Sequence, residues 1–284
     1  MTSTISETKL KEYYDVALDL VIKCGPIFEE GYNKIKKEVT VKSDFYDFVT
    51  VYDRQIEEKL TEGLLKAFPE SRFIGEESLA ASKEMPELTD APTWIIDPID
   101  GTTNYIHRFP HCGISVALAV HKQLVVGIIY NPAANELYTS RKGHGAYLNG
   151  QPIQVSGATT LSNSVIGHEI TLINNASWRD KNIKRVYKLG SVAAGTRCLA
   201  TAALSLAYVA KGTLDTYHVD NLKPWDVAAG VLLVREAGGI VHDTNGSEFN
   251  VMQPNLVAAG KDSLAQEVIQ LIREADQIND YTFT

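Results

Sequence analysis

Apolar positions along the chain change their period several times, and each change marks an element. Between about 7 and 32, Val16, Leu20, Cys24, Ile27 and Phe28 recur at helical spacing, which predicts a helix kinked at Pro26. "EVTVKS" at 38–43 alternates like a strand. Ile56, Leu60, Leu64 and Phe68 share one face of a helix expected over 52–68, with Pro69 just beyond its end. "RFIGEES" predicts a short strand running into two acids. From 92 to 148 the pattern is mostly β. "TWIID", "GISVALAV", "LVVGIIYN" and "ELYTSR" are short apolar or alternating runs, and Asn149-Gly150 is a tight-turn signal.

A stretch rich in Ser, Thr and Gly at 151–162 is the candidate boundary between two halves, 1–150 and 151–284. Beyond it, strands are expected near 163–168 and 213–218, with helices near 176–188, 197–211 and 225–237. "GGIVHD", the strand "NLVAAG" and a last helix near 262–275 complete the chain. Strands and helices alternate through both halves, which implies a layered α/β or α+β architecture.

The bulk numbers narrow the function. A chain of 284 residues, 44% apolar and 22% charged, is an ordinary globular protein able to bury a large core. A net charge of -8 argues against a nucleic-acid partner, because phosphate backbones favour basic faces. It leaves room for a small anion wherever a bound cation reverses the local sign. The basic cluster Lys34, Lys36, Lys37 and Lys42 reads as a solvated helix end and strand edge. Cys24, Cys112 and Cys198 are widely spaced and form no CxxC, so neither a disulfide framework nor a zinc site is expected. That usage fits a reducing compartment. "MTSTISETKLKEYYD" carries charges where a signal peptide needs an apolar stretch, and no apolar run is long enough for a bilayer. The expectation is a cytoplasmic protein with no membrane partner.

The chemistry concentrates in "WIIDPIDGTTNY" at 94–105. An apolar run ends in two aspartates three positions apart. Pro98 pushes Asp97 into an extended conformation, so Asp97 and Asp100 can both project from the strand end, beside the carbonyl of Ile99. Gly101 permits a tight turn, after which the amides of Gly101, Thr102 and Thr103 can open a helix and meet an anion. The segment thus offers hard oxygen ligands for a cation beside donors for a phosphate, which suits magnesium. It is also ordinary turn and cap chemistry. Glu76 and Glu77 close another strand, Asp226 opens a helix after Pro224-Trp225, and Asp53 begins the second helix. Carboxylates at strand ends and helix starts can converge on one crevice, which is where α/β folds usually place ligands. An EF-hand is disfavoured, because Arg108 falls where its bidentate Glu would stand. No P-loop, HExxH or GxSxG motif is present.

"GEES" at 75–78, "WIIDPIDGTTNYIHRFP" at 94–110 and "PWDVAAGVLLVREAGG" at 224–239 together resemble the inositol monophosphatase family, magnesium-dependent and lithium-sensitive phosphatases. The likeness extends to "VKSDFYDFVTVYD" at 41–53 and "RKGHGAYLNG" at 141–150, nearly the whole chain. It implies an α-β-α-β-α sandwich of the α+β class, one compact catalytic unit. The first half would carry most metal ligands, and the second would supply Asp226 and the substrate pocket. It further implies that Glu76, Asp97 and the Ile99 carbonyl hold one magnesium, that Asp97, Asp100 and Asp226 hold a second, and that Glu76 serves a weaker third. The amides of Gly101 and Thr102, with Thr103 beside them, would hold phosphate. Thr102 and Asp53 would orient and help deprotonate the attacking water. Lys42 stands where the family has a loop lysine near the site. The family's glutamate for substrate hydroxyls falls at Val219, which cannot accept a hydrogen bond; Asp220 substitutes if the loop shifts by one residue. Lys223 replaces a usual histidine, and Ala202 matches a position lining the inositol pocket. The resemblance also carries lithium inhibition and a homodimer. Inositol monophosphate is the expected substrate; the alternatives are a sugar phosphate, an adenosine bisphosphate, or a metal-binding homologue without turnover.

Overall fold

The computed structural model describes residues 5–35, 39–41, 48–82 and 84–279. Helix α1 (Glu7–Asn33) leads to a two-stranded ribbon, β1 (Val39–Val41) and β2 (Phe48–Thr50), and then to α2 (Val51–Ala67). Next come β3 (Arg72–Gly75), α3 (Glu76–Ser82), β4 (Thr93–Asp100) and the short α4 (Thr102–His107). Four hairpin-linked strands follow, β5 (Gly113–Val120), β6 (Gln123–Asn131), β7 (Glu136–Arg141) and β8 (Ala146–Leu148), and then β9 (Gln151–Ile153). The second half runs β10 (Val165–His168), α5 (Ala176–Gly190), β11 (Gly195–Arg197), α6 (Ala202–Ala210) and β12 (Thr216–Val219). It ends with α7 (Pro224–Glu236), β13 (Ile240–His242), β14 (Leu256–Ala259) and α8 (Asp262–Asp276).

Strands β3 to β9 form one seven-stranded sheet in chain order, antiparallel except for the parallel pair β3–β4. The other sheet has the order β11-β10-β12-β14-β13. Helices α1 and α2 cover the outer face of the first sheet, α6 and α7 lie between the sheets, and α5 and α8 cover the second. The layers are therefore α-β-α-β-α, as the resemblance implied. The first sheet reaches Ile153, three residues past the expected division at 150.

Side-chain size along β5 explains the layering. Ile114, Val116, Leu118 and Val120 join the core under α1 and α2. Ala117 and Ala119 point the other way, into the core shared with α7, and Ser115 donates to the Trp225 carbonyl of α7 at 3.3 Å. Small residues on that face let α7 come close. The approach continues between the two inner helices, where a Cβ on Gly230 of α7 would stand 2.5 Å from Cβ of Leu206 in α6. Gly230→Ala is therefore expected to lower the unfolding free energy by about 1–3 kcal/mol through overpacking. Alanine's advantage of about 1 kcal/mol inside a helix is too small to reverse the sign. Urea denaturation measures this, and a raised midpoint would mean the helices part easily here.

Two expectations need correction. The helix read over 197–211 begins at Ala202; residues 195–197 are instead an edge strand paired with β10. Helix α1 runs without a break through Pro26. "EVTVKS" is seen as β1 over its described residues, 39–41.

Candidate active site

The first sheet builds the acidic pair by breaking its own alternation. In β4, Trp94 and Ile96 face α1 and α2, while Ile95 faces the inner helices. Asp97 follows Ile95 on the inner face. Regular pleating would put residue 99 there next, yet Ile99 lies in the outer core. Pairing with β5 slips between Asp97 and Asp100, and this slip, at Pro98, returns Asp100 to the inner face beside Asp97. Two buried carboxylates thus share one side of one strand.

Neighbouring elements add the rest. Gly75 is in parallel register with Ile96, so Glu76, the first residue of α3, stands level with Asp97. Glu57 of α2 fixes that start: its carboxylate accepts from the amides of Glu77 and Ser78, both at 2.8 Å. Asp226 sits in the first turn of α7 and accepts from the Lys223 amide at 2.6 Å. Asp100 faces the start of α6. Its Oδ2 accepts from the Thr201 hydroxyl and from the Ala203 amide, the latter at 2.9 Å. Among the described residues, Asp97, Asp100 and Asp226 offer ligand atoms that all lie within 4.8 Å of one another.

Electrostatics show what this cluster wants. Burial pushes Asp97 well above the ordinary carboxylate range, and Glu76, Asp100, Asp226 and Asp53 all push the same way. Burial, Asp100 and Glu76 raise Asp226, against the Lys223 amide. Burial also raises Asp100 to about 6, although Thr201 and the amides of Ala202, Ala203 and Leu204 hold it down. Buried carboxylates that repel one another are stabilised by a cation among them. An all-oxygen donor set of this kind fits magnesium.

Asp53 occupies the third position of α2. Its Oδ2 accepts from the Thr50 amide at 2.9 Å and the Thr50 hydroxyl at 2.5 Å. Its Oδ1 is buried without a hydrogen-bond partner. Burial raises it to about 7, opposed by Thr50 and assisted by Glu76. Gly101 follows the acidic pair with a left-handed φ of 79°, and a Cβ there would meet the His111 carbonyl oxygen at 2.9 Å. Only glycine suits both demands. Thr102 and Thr103 open α4, and Thr102 Oγ1 donates to the Ile99 carbonyl at 3.1 Å. Tyr105 anchors the turn by donating from its buried hydroxyl to the Phe28 carbonyl of α1 at 2.8 Å.

On the substrate side, strand pleating decides between two expected residues. Tyr217 and Val219 of β12 face the inner core that holds Ala202 and Trp225. His218 faces the opposite side; burial there, with Arg185 and His168 nearby, pushes it down to about 3. Asp220 is not brought to the site. Its Oδ2 accepts from Lys181 at 2.6 Å and Arg185 at 2.7 Å, and its Oδ1 from Thr244 at 2.7 Å. Burial alone would raise Asp220, but these cations and the hydroxyl hold it below the usual range. Asp220 ties β12 to α5. Lys42 lies outside the described residues.

Sequence reasoning missed several residues that shape the site. Thr50 was legible as a cap before a helix, with Asp53 three positions on; Thr201, the cap of α6, fell inside the helix read over 197–211 and so was hidden. Asn104 and Glu169 carried no such signal.

A family model described as the inositol monophosphatase family matches residues 9–277. Inositol monophosphatase 2 of Rattus norvegicus is 38% identical over 276 residues, covering 95% of this chain and 91% of that protein. Inositol monophosphatase 1 of Homo sapiens is 37% identical over 266 residues, covering 93% and 95%. Among solved structures, the Thermotoga maritima IMPase superposes with a TM-score of 0.81 at 31% identity, covering 93% of this chain and 97% of that one. The suhB protein of Bartonella henselae gives 0.80 at 32%, covering 93% and 98%.

Proposed function

Since the chain belongs to the inositol monophosphatase family, we propose that it is a magnesium-dependent phosphatase that hydrolyses inositol monophosphate to inositol and phosphate. The observation that carries this reading is the meeting of Asp97, Asp100 and Asp226, contributed by both halves of the chain, within 4.8 Å. Asp97, Asp100 and Asp226, with Glu76 and the Ile99 carbonyl, would hold the cations. A carbonyl oxygen has two lone pairs, so Ile99 can serve a cation while accepting from Thr102. Two to three ions per site, and inhibition by lithium, follow from the resemblance. When bound, magnesium supplies positive charge that offsets the phosphate dianion and acidifies water.

The remaining steps belong to the protein. Amides of Gly101, Thr102 and Thr103 would grip the phosphate. Thr102 spends its proton on the Ile99 carbonyl and so keeps its oxygen lone pairs for an attacking water. Asp53 has its Oδ1 free of hydrogen bonds, which leaves it an acceptor for the proton of an attacking water. No Ser-His or Cys-His pair takes part, and the attack is direct, with no covalent intermediate.

Val219 and Ala202 would form an apolar wall of the substrate pocket, with no carboxylate from β12. The test is magnesium-dependent phosphate release from inositol 1-phosphate, 2-phosphoglycerol, glucose and fructose phosphates and adenosine 3',5'-bisphosphate. Preference for inositol 1-phosphate is expected; preference for another ester would keep the metal chemistry and overturn the substrate. A homodimer is proposed from the resemblance, with half-exposed Phe109 and Val192 as available apolar surface. A cytoplasmic setting is proposed from the free thiols of Cys24, Cys112 and Cys198. No described helix is long and apolar enough to cross a membrane.

A further inference from the structure

Glu169 follows β10 and is nine-tenths buried, yet the steps above do not use it. Its Oε1 accepts from the Tyr217 hydroxyl at 3.3 Å, and its Oε2 has no hydrogen bond of good geometry. A buried carboxylate so weakly satisfied is a poor stabiliser. What it faces accounts for its presence. Parallel pairing sets Gly167 of β10 beside Arg197 of β11, so Glu169, two residues on, stands level with Leu199 and beside the backbone amides of Ala200 and Thr201. From the other side, the Asn104 amide donates to the carbonyls of Leu199 at 2.7 Å and Ala200 at 3.4 Å, and also to the His111 carbonyl at 2.7 Å. Between these two grips Ala200 has a φ of 54°. A left-handed alanine is strained by about 1–2 kcal/mol and persists only where its surroundings enforce it.

The next residue is the one that matters chemically. Thr201 caps α6, accepting from the Leu204 amide at 3.3 Å while donating to Asp100. The Ala203 amide donates to the same Asp100 oxygen. The strained segment therefore sets where the donors to Asp100 stand.

We propose that Glu169 is a positioning residue for the metal site: with Asn104 it holds Leu199–Thr201 in its strained form, so that Thr201 and the start of α6 fix the Asp100 carboxylate for a cation. The inference rests on the reading of Asp97, Asp100 and Asp226 as metal ligands. It joins the halves physically, since Asp100 and Asn104 come from the first and Glu169, Tyr217 and Thr201 from the second.

The test is magnesium binding to the full-length protein without substrate, measured by isothermal titration calorimetry beside urea denaturation. Glu169→Ala is expected to weaken magnesium binding about tenfold, the effect typical of losing support behind a metal ligand. Glu169→Gln keeps an acceptor oxygen and is expected to stay within about threefold of the parent. Tyr217→Phe, which removes only the hydroxyl, should weaken binding in the same direction and guards against a Glu169→Ala protein that does not fold. Unchanged magnesium affinity in folded Glu169→Ala, or in Tyr217→Phe if the first is unfolded, would overturn the proposal. So would a loss that merely tracks the unfolded fraction. A parent protein that binds magnesium but releases no phosphate would overturn the phosphatase reading and leave this one standing.

Discussion

Asp97→Asn is expected to remove magnesium-dependent phosphate release, by about a thousandfold or more in kcat/KM, and at the same time to stabilise the metal-free protein. The two effects have one cause. Asp97 is buried, and the four charges that act most strongly on it are all carboxylates. Without a cation its negative charge is a liability, and neutral asparagine removes it. Asparagine keeps an oxygen for the Ile99 amide, which Asp97 Oδ1 accepts at 3.0 Å, so the turn is preserved. The gain in unfolding free energy should be roughly 1–3 kcal/mol, read as a rise of a few degrees in Tm for each kcal/mol. Calorimetry in a chelator, beside a phosphate assay, measures both. Loss of activity together with loss of stability would mean that Asp97 is a structural acceptor and not a ligand.

Metal binding and pH should be tightly linked. Asp100 at about 6 and Asp53 at about 7 lie above their ordinary 3.8, and Asp97 and Asp226 are raised as well. Above about pH 4 the unfolded chain has released protons that the folded protein still holds. Stability of the metal-free protein from these groups is therefore present below that pH and is lost as pH rises through about 6 to 7, the folded values of Asp100 and Asp53. Magnesium must displace the protons held by Asp97, Asp100 and Asp226, so its affinity rises as pH passes through the value of about 6 at Asp100. The expected result is a small magnesium-induced shift in Tm near pH 5 and a shift several-fold larger near pH 8 (both approximate settings on either side of the titration). A shift independent of pH would show that these carboxylates are already ionised in the metal-free fold.

The parts of this site that are local in the chain are legible in it. "DPIDG" announces two carboxylates at a strand end and a tight turn at the glycine, and the structure keeps both; the register slip that sets the carboxylates on one face emerges only from pairing with β5. Asp226 after "PW" reads as the first turn of a helix, and it is. What depends on pairing between distant segments is not legible. The strand at 195–197 exists only because β10 lies beside it, so nothing in the sequence marks it and the helix read from 197 starts before Ala202, where α6 begins. Whether Val219 or Asp220 faces the pocket turns on one step of the pleat, fixed by pairing with β14 and by Arg185 from α5. "RKGHGAYLNG" shows no chemistry of its own; its turn exists to seat Glu236 of α7, which accepts from the amides of Gly143, His144 and Gly145 at 2.8–3.0 Å.

The most direct test of the central claim is phosphate release from inositol 1-phosphate as magnesium is titrated into chelator-stripped protein. The account predicts no release without magnesium, saturable activation as it is added, and no activation at any concentration in Asp226→Asn. Release that persists without divalent cation, or that survives loss of Asp226, would contradict it.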